Sequence, residues 1–233
     1  MAEQVKSKQR VQDHGEVFTN EREVNAMLDM VKQETERIES RFLEPACGDG
    51  NFLAEVLRRK LAVVKQRYGK SLNDYEKYAF VAIGSIYGVE LLSDNVRACR
   101  DRLYGIFEDA YMPICKKSPT PKYLDAIRYV LERNILNGNA LSLKAVNEAA
   151  EDTDEPIIFS EWSLVTGNKV KRRDFRLDEM IEGNVSAGET LSLFGASGTP
   201  TTEWEYDEET RSMIPKPIEE WALISLYKVN DHE

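Results

Sequence analysis

Apolar residues recur along this 233-residue chain at two alternating spacings, and the alternation predicts the layout of its first two thirds. Val24, Met27, Leu28 and Val31 fall at i, i+3, i+4 and i+7. They follow Asn20, a good N-cap with Glu23 at the capping-box position, so a helix with one apolar face is expected there. Residues 41–46 read as a buried strand. Asn51 to about Tyr68 reads as a helix, with Leu53, Val56, Leu57, Leu61 and Val64 on one side. An inserted helix is expected over 72–84, a second strand over 86–90, and a helix from Ser93 to about Tyr111 with Val96, Leu103 and Phe107 inward. A loop over 116–121, a short helix over 122–133 and a third strand over 134–140 complete the run. Strands alternating with helices of this length imply an α/β fold with parallel pairing.

Beyond residue 145 the pattern changes. Glu148–Glu155 is an acidic loop by composition, and the runs 157–166 and 169–177 flank Gly167-Asn168 as a β-hairpin. Residues 183–210, rich in Gly, Ser, Thr and acids, read as loop, and 220–229 as a closing strand. The division expected is an N-terminal arm (1–20), an α/β core (21–147) and a β-rich acidic elaboration (148–233).

The net charge of −10 sharpens that division. Residues 151–233 hold 19 acidic against 8 basic side chains, leaving 23 basic against 22 acidic for 1–150. Neither part has the basic excess of a domain that grips DNA unaided. Lys169, Lys171, Arg172, Arg173 and Arg176 could contact phosphates, but alternation along a hairpin among acids favours a solvated or internally paired face. Three scattered cysteines with no C-x-x-C pair argue against a disulfide framework or a zinc knuckle and favour a reducing cytoplasm. No apolar run approaches membrane-spanning length, so no membrane partner is expected, and no metal site is assigned.

The chemistry concentrates in Glu44-Pro-Ala-Cys-Gly-Asp-Gly-Asn-Phe52, between the first strand and its helix. Two glycines one residue apart let backbone turn sharply and approach a ligand closely. An ordinary strand-to-helix turn would need no such full string. The string closely resembles the S-adenosylmethionine (SAM) loop of DNA adenine-N6 methyltransferases of restriction-modification systems. Further segments follow that family's order over residues 14–140. Gly15-Glu-Val-Phe-Thr19 resembles the lid that precedes the loop, with Asn20 where the family has Pro, though a bare helix cap reads equally well. Glu90, ending the second strand, stands where an acid accepts from ribose hydroxyls. Asn139-Ala140 ends the third strand near the expected adenine, or forms a plain turn.

The resemblance thus implies a Rossmann-like methyltransferase fold with an incomplete parallel sheet. The implied cofactor is S-adenosyl-L-methionine. In the loop it would meet Glu44, Ala46, Cys47, Gly48, Gly50, Asn51 and Phe52. Elsewhere it would meet Thr19, Glu90, Leu91, Asn139 and Ala140.

The family's catalytic [D/N/S]-P-P-[Y/F/W] signature has no counterpart, for the chain contains no Pro-Pro dipeptide. Ser118-Pro-Thr-Pro121 and Ser160-Glu-Trp162 are poor substitutes, and no catalytic residue is assigned. The expected function is therefore a SAM-dependent adenine-N6 methyltransferase of DNA, or its cofactor-binding portion, with a second subunit supplying the catalytic motif and the missing strands. The other reading is a catalytically inactive SAM-fold module. A weaker third option is methylation of protein or RNA.

Overall fold

The computed structural model describes residues 19–116, 118–185, 204–207 and 212–231. Helices α1 (Glu21–Met30) and α2 (Lys32–Thr35) lead into β1 (Phe42–Glu44). Then come α3 (Asn51–Tyr68), α4 (Leu72–Gly84), β2 (Ile86–Glu90), α5 (Ser93–Tyr111), α6 (Pro121–Asn134) and β3 (Ile135–Asn139). The spacing of apolar residues explains these helices directly. Leu53, Val56, Leu57, Leu61 and Val64 of α3 are all buried, as are Val96, Leu103 and Phe107 of α5. Asn20 caps α1 by accepting from the Arg22 amide, and Ser71 does the same for α4 from Asp74. One expectation fails in part: Val24 and Leu28 are buried, whereas Met27 and Val31 are exposed.

β1, β2 and β3 pair in parallel, with β2 in the middle. The fold is thus mixed α/β with a parallel-containing sheet, compatible with a Rossmann-like arrangement. The sheet continues antiparallel through β4 (Lys144–Val146) and β5 (Asp152–Pro156), giving the order β1-β2-β3-β4-β5. The expected acidic loop at 148–155 is therefore a turn followed by an edge strand, held by ladder bonds and by Thr153 Oγ1 donating to the Ala145 carbonyl at 2.9 Å.

The β-hairpin forms as its Gly167-Asn168 turn predicts, from β6 (Ile158–Thr166) and β7 (Lys169–Arg176). Helix α7 (Leu177–Val185) follows it, then a ribbon of β8 (Trp204–Asp207) and β9 (Ser212–Pro215). Part of the expected 183–210 loop is thus regular structure, and its remainder lies outside the described residues. The expected closing strand over 220–229 is also corrected. It is split into β10 (Glu219–Glu220) and β11 (Ile224–Ser225), both paired to β7, and a 3₁₀ turn (Leu226–Asp231) that sinks Leu226 and Val229 into the core. None of it reaches β1.

Side chains alternate across β2, so its two faces enter two clusters. Ile86 joins the large core beneath α3–α6, while Tyr87 and Val89 pack with Ile157, Phe159 and Leu177 on the other face. The hairpin belongs to both. Trp162 is buried edge-on to Phe80, with centroids 5.8 Å apart, and its indole N–H donates to Asn134 Oδ1 at 3.3 Å. Buried aromatics of this kind contribute about 3–5 kcal/mol each.

Several polar groups inside the core are paired, while the hydroxyl of buried Tyr75 has no hydrogen-bond partner. Tyr111 and Tyr227 donate to the two carboxylate oxygens of buried Glu76 at 2.5 and 2.6 Å, and Tyr123 donates to its carbonyl at 2.7 Å. Arg172 meets Asp174 at 2.8 Å and Arg173 meets Glu161 at 2.8 Å, all four buried. Lys171 pairs with Glu220 and Arg176 with Asp178. Four of the five basic residues of the hairpin are taken up by these internal pairs, as alternation among acids suggested, and Lys169 is exposed.

Candidate functional site

β1 ends at Glu44, and the chain then turns through Pro45–Gly50 into α3. Gly48 and Gly50 have φ of +54° and +86°, in the left-handed region open to glycine. A Cβ on Gly50 would lie 2.6 Å from Cys99 Sγ. The loop is braced from beneath by the end of β2. The Cys47 amide donates to the Val89 carbonyl at 3.0 Å, and the Gly50 amide to the Cys47 carbonyl at 2.8 Å. The neighbouring Cys99 thiol, and then burial, hold Cys47 well above the ordinary thiol range, as fits a packing residue.

Glu90 is the centre of this bracing. Its Oε2 accepts from the Gly48 amide at 2.9 Å, and its Oε1 from the Leu92 amide at 2.9 Å and from Asn95 Nδ2 at 3.4 Å. A carboxylate has about four acceptor directions; three are used, leaving one toward the loop. The resemblance implied that both ribose hydroxyls would be accepted here. As it stands, Glu90 can take one and otherwise shapes the loop.

Two further carboxylates face the same turn. Glu44 Oε2 and Asp49 Oδ1 are buried with no hydrogen-bond partner. Asp49 uses its other oxygen on Arg102, 2.7 Å away, and Arg102 also donates to Asn51. The Glu44 carboxyl is pushed up to about 8 by burial first, then by the charges of Glu90 and Asp49. Buried acceptors left unmatched cost about 1–3 kcal/mol each.

The remaining expected residues are placed as follows. Phe52 is partly buried against the large core below the loop. Leu91 and Ala140 sit at the ends of β2 and β3, Ala140 against the smaller cluster. Asn139 is at the same edge, but its side chain accepts from the Leu141 amide at 3.0 Å and donates to Asp152 at 2.9 Å. Asn139 thus starts the β3–β4 connection and spends one N–H and one lone pair of its side chain there. Thr19 is exposed just ahead of the Asn20 cap. Helix α1 runs alongside α3 in the same sense, since Asn25 and Asp29 meet Arg59 while Lys32 and Thr35 border Val63 and Gln66. Thr19 therefore lies at the loop end of α3, and residues 14–18 of the expected lid are outside the described residues.

Several residues were missed. Asn137 donates to the carbonyls of Glu90 and Leu91 at 2.8 and 2.9 Å, fixing the end of β2. Gly88, within buried β2, leaves space for Cys47, whose Sγ would lie 2.9 Å from a Cβ there. A glycine inside an apolar strand run was the available signal for that close approach. Arg102 carried no such signal, being 53 residues from its partner Asp49.

Of the two substitutes for the catalytic motif, Ser160-Glu-Trp162 is locked in internal contacts. Ser160 is held between Asp174 and Arg172, Glu161 pairs with Arg41 and Arg173, and Trp162 is buried. Pro121 opens α6 at its first position. Among the described residues no group of three or more His, Cys, Asp or Glu could hold a metal, and no helix is long and apolar enough to cross a membrane. Compared with models of known protein families, with curated proteins and with solved structures, the chain finds no match.

Proposed function

We propose that the turn Glu44–Phe52 binds S-adenosyl-L-methionine and that the chain is the cofactor-binding portion of an adenine-N6 methyltransferase of DNA. The observation that carries this is the pair of partnerless buried oxygens, Glu44 Oε2 and Asp49 Oδ1, beside two glycines with positive φ. SAM carries an ammonium and a sulfonium, the charges such oxygens lack, and its chemistry is donation of an activated methyl group. Gly48 and Gly50 would admit its methionine end against bare backbone. Glu90 would hold the loop and offer its one remaining acceptor direction to a ribose hydroxyl. Leu91 and Ala140 would flank the base. Thr19 would come over the top from the start of α1.

The described residues offer no arrangement to receive an adenine amino group, so the chain is expected to bind cofactor without methylating DNA by itself. Titration calorimetry with SAM and with S-adenosylhomocysteine tests the first half, and methyl transfer from labelled SAM to unmethylated DNA tests the second. Saturable heat without transfer is the expected result. No heat with either ligand, in wild type and in Glu90→Ala alike, refutes the assignment.

The locking of Ser160, Glu161 and Trp162 in internal contacts favours one second reading, a catalytically inactive SAM-binding module. A neighbouring reading frame that encodes an N-P-P-Y motif favours the split enzyme; its absence favours the module. Transfer of label to protein or RNA but not DNA would redirect the acceptor.

A further inference from the structure

A cavity of about 370 Å³ lies at the end of the parallel strands away from the Glu44–Phe52 turn. It is bounded by residues ahead of β1, the end of α3, the second half of α4, the start of β2, and Ser163 of β6. Ser85, in its lining, precedes Glu90 by roughly 16 Å of extended chain, so a ligand there is separate from one at the turn. Pockets that hold small molecules usually measure about 300–1,000 Å³. One wall is aromatic. Tyr68 and Tyr78 stack with centroids 3.7 Å apart and planes 8° from parallel, and Tyr87 and Trp162 also line the space. A planar ring packs on such a wall by face or by edge.

The polar part of the lining is basic. Among the described residues there, Arg41 and Arg67 face one acid, Glu39, which turns to Arg37 at 3.5 Å. Arg37 is shared with Glu34, and Glu161 beside Arg41 is shared with Arg173. Behind the floor, Lys60 Nζ donates to the Ile38 carbonyl at 2.9 Å and to Ser85 Oγ at 2.6 Å. With these partners counted, Arg37, Arg41, Arg67, Arg173 and Lys60 stand against Glu34, Glu39 and Glu161. A chain of net charge −10 thus carries a local basic excess at this cavity, where low-dielectric walls focus the field. Arg67 itself has no ion pair or hydrogen bond among the described residues, and its planar fork suits a phosphate or a carboxylate.

We infer that this cavity binds a small anion with a planar aromatic ring, of the size of a nucleoside monophosphate, its ring against the Tyr68–Tyr78 wall and its acidic group on Arg67. A cationic ligand would meet the arginines, and an uncharged one would leave Arg67 unused. The inference goes beyond cofactor binding at the turn and does not depend on it.

The test titrates the purified full chain, followed by amide chemical shifts, with the four common ribonucleoside 5′-monophosphates and with indole-3-acetate, a ring bearing a carboxylate. The free nucleosides and ribose 5-phosphate supply the ring and the acidic group alone. Saturable binding of at least one ringed anion is expected, about tenfold tighter than either part alone, with shifts at Arg67, Tyr78 and Ser163. Binding of a monophosphate names a nucleotide as the source; binding of indole-3-acetate alone names an aryl carboxylate. Arg67→Gln should weaken binding by about tenfold or more, the loss of a charge-assisted hydrogen bond. Tyr78→Leu should weaken it by about fivefold. Unchanged shifts at Val89 and Ile135 check that the variants fold. No saturation at millimolar concentration, ribose 5-phosphate binding as tightly as the ringed anions, or wild-type affinity in Arg67→Gln each overturns the inference. So do shifts confined to Gly48, Gly50 and Glu90, which would put the nucleotide in the turn. S-adenosylhomocysteine titration of Arg67→Gln runs alongside, so loss of this site and failure of cofactor binding are read separately.

Discussion

Replacing Glu44 by Gln keeps the side chain's length and its acceptor for the Leu53 amide but removes a charge from beside Glu90 and Asp49. In the ligand-free protein that charge is unwelcome: burial, then the two neighbouring carboxylates, push the carboxyl from 4.5 up to about 8. The folded chain therefore binds a proton that the unfolded chain has released throughout the window from 4.5 to about 8. Linkage gives the sign: stability falls as pH rises across that window and is level above it. The span of about 3.5 pH units, at about 1.36 kcal/mol each, sets a ceiling of roughly 5 kcal/mol. Glu44 is only partly buried, and relaxation and water at the turn reduce this to about 2 kcal/mol. Urea unfolding of wild type and Glu44→Gln at intervals from pH 5 to 9 measures it. The two curves should agree near pH 5, and the Gln variant should be more stable by about 2 kcal/mol at pH 9. A cationic ligand should reverse the ranking, because it pairs with the ionised carboxyl. Parallel curves in the absence of ligand, or a Gln variant less stable at pH 9, refute the reasoning.

Gly50→Ala places a Cβ where φ is +86° and Cys99 Sγ is 2.6 Å away, so a loss of about 2–4 kcal/mol is expected. Cys99→Ala in the same chain should recover part of it, and denaturant midpoints that place the single variant within about 0.5 kcal/mol of wild type would contradict the loop geometry. Lys60 is fully buried, donates to the carbonyls of Ile38 and Ser40 and to Ser85 Oγ, and is driven down to about 7 by desolvation. The unfolded chain then binds the extra proton between about 7 and 10.5, so this group makes stability rise with pH over that range. Lys60→Met should flatten the slope whatever its effect on absolute stability, and an unchanged slope in unfolding experiments sinks the assignment.

Local signals made most of the α/β part legible. Helices α3, α4 and α5 and strand β2 occupy the expected residues because apolar spacing, caps and a glycine-bounded turn all agree there. The misses have a common physical cause, which is pairing that only distant residues can specify. Asp152-Thr-Asp-Glu-Pro156 has no apolar alternation, yet it forms an edge strand because β4 offers a ladder and solvent accepts its acids. The segment 220–229 was legible as extended but not as broken, since β7 takes two residues at a time and Leu226 and Val229 turn inward. At the site, glycines and the strand-end acid were readable, for they answer to backbone geometry. The bracing by Asn137 and Arg102, and the use of Glu90 on Gly48 instead of on two hydroxyls, depend on partners 42 to 53 residues away.

The tyrosine cage around Glu76 has a bearing on how the chain is made. Tyr227 is 151 residues beyond the carboxylate it closes, and Trp162 is 82 residues beyond Phe80, against which it packs. At the usual ~5–20 residues per second of synthesis, α4 waits about 4–16 s for the indole and about 8–30 s for the last hydroxyl. During that interval the apolar flank of α4 and a buried-type carboxylate are both uncovered on the ribosome. The cofactor turn, whose local contacts are complete once β3 has emerged, can take shape before the body that supports it. Such an order leaves α4 open to chaperones and proteases until Tyr227 has emerged, and ties the yield of the chain in the cell to the speed with which that segment is delivered.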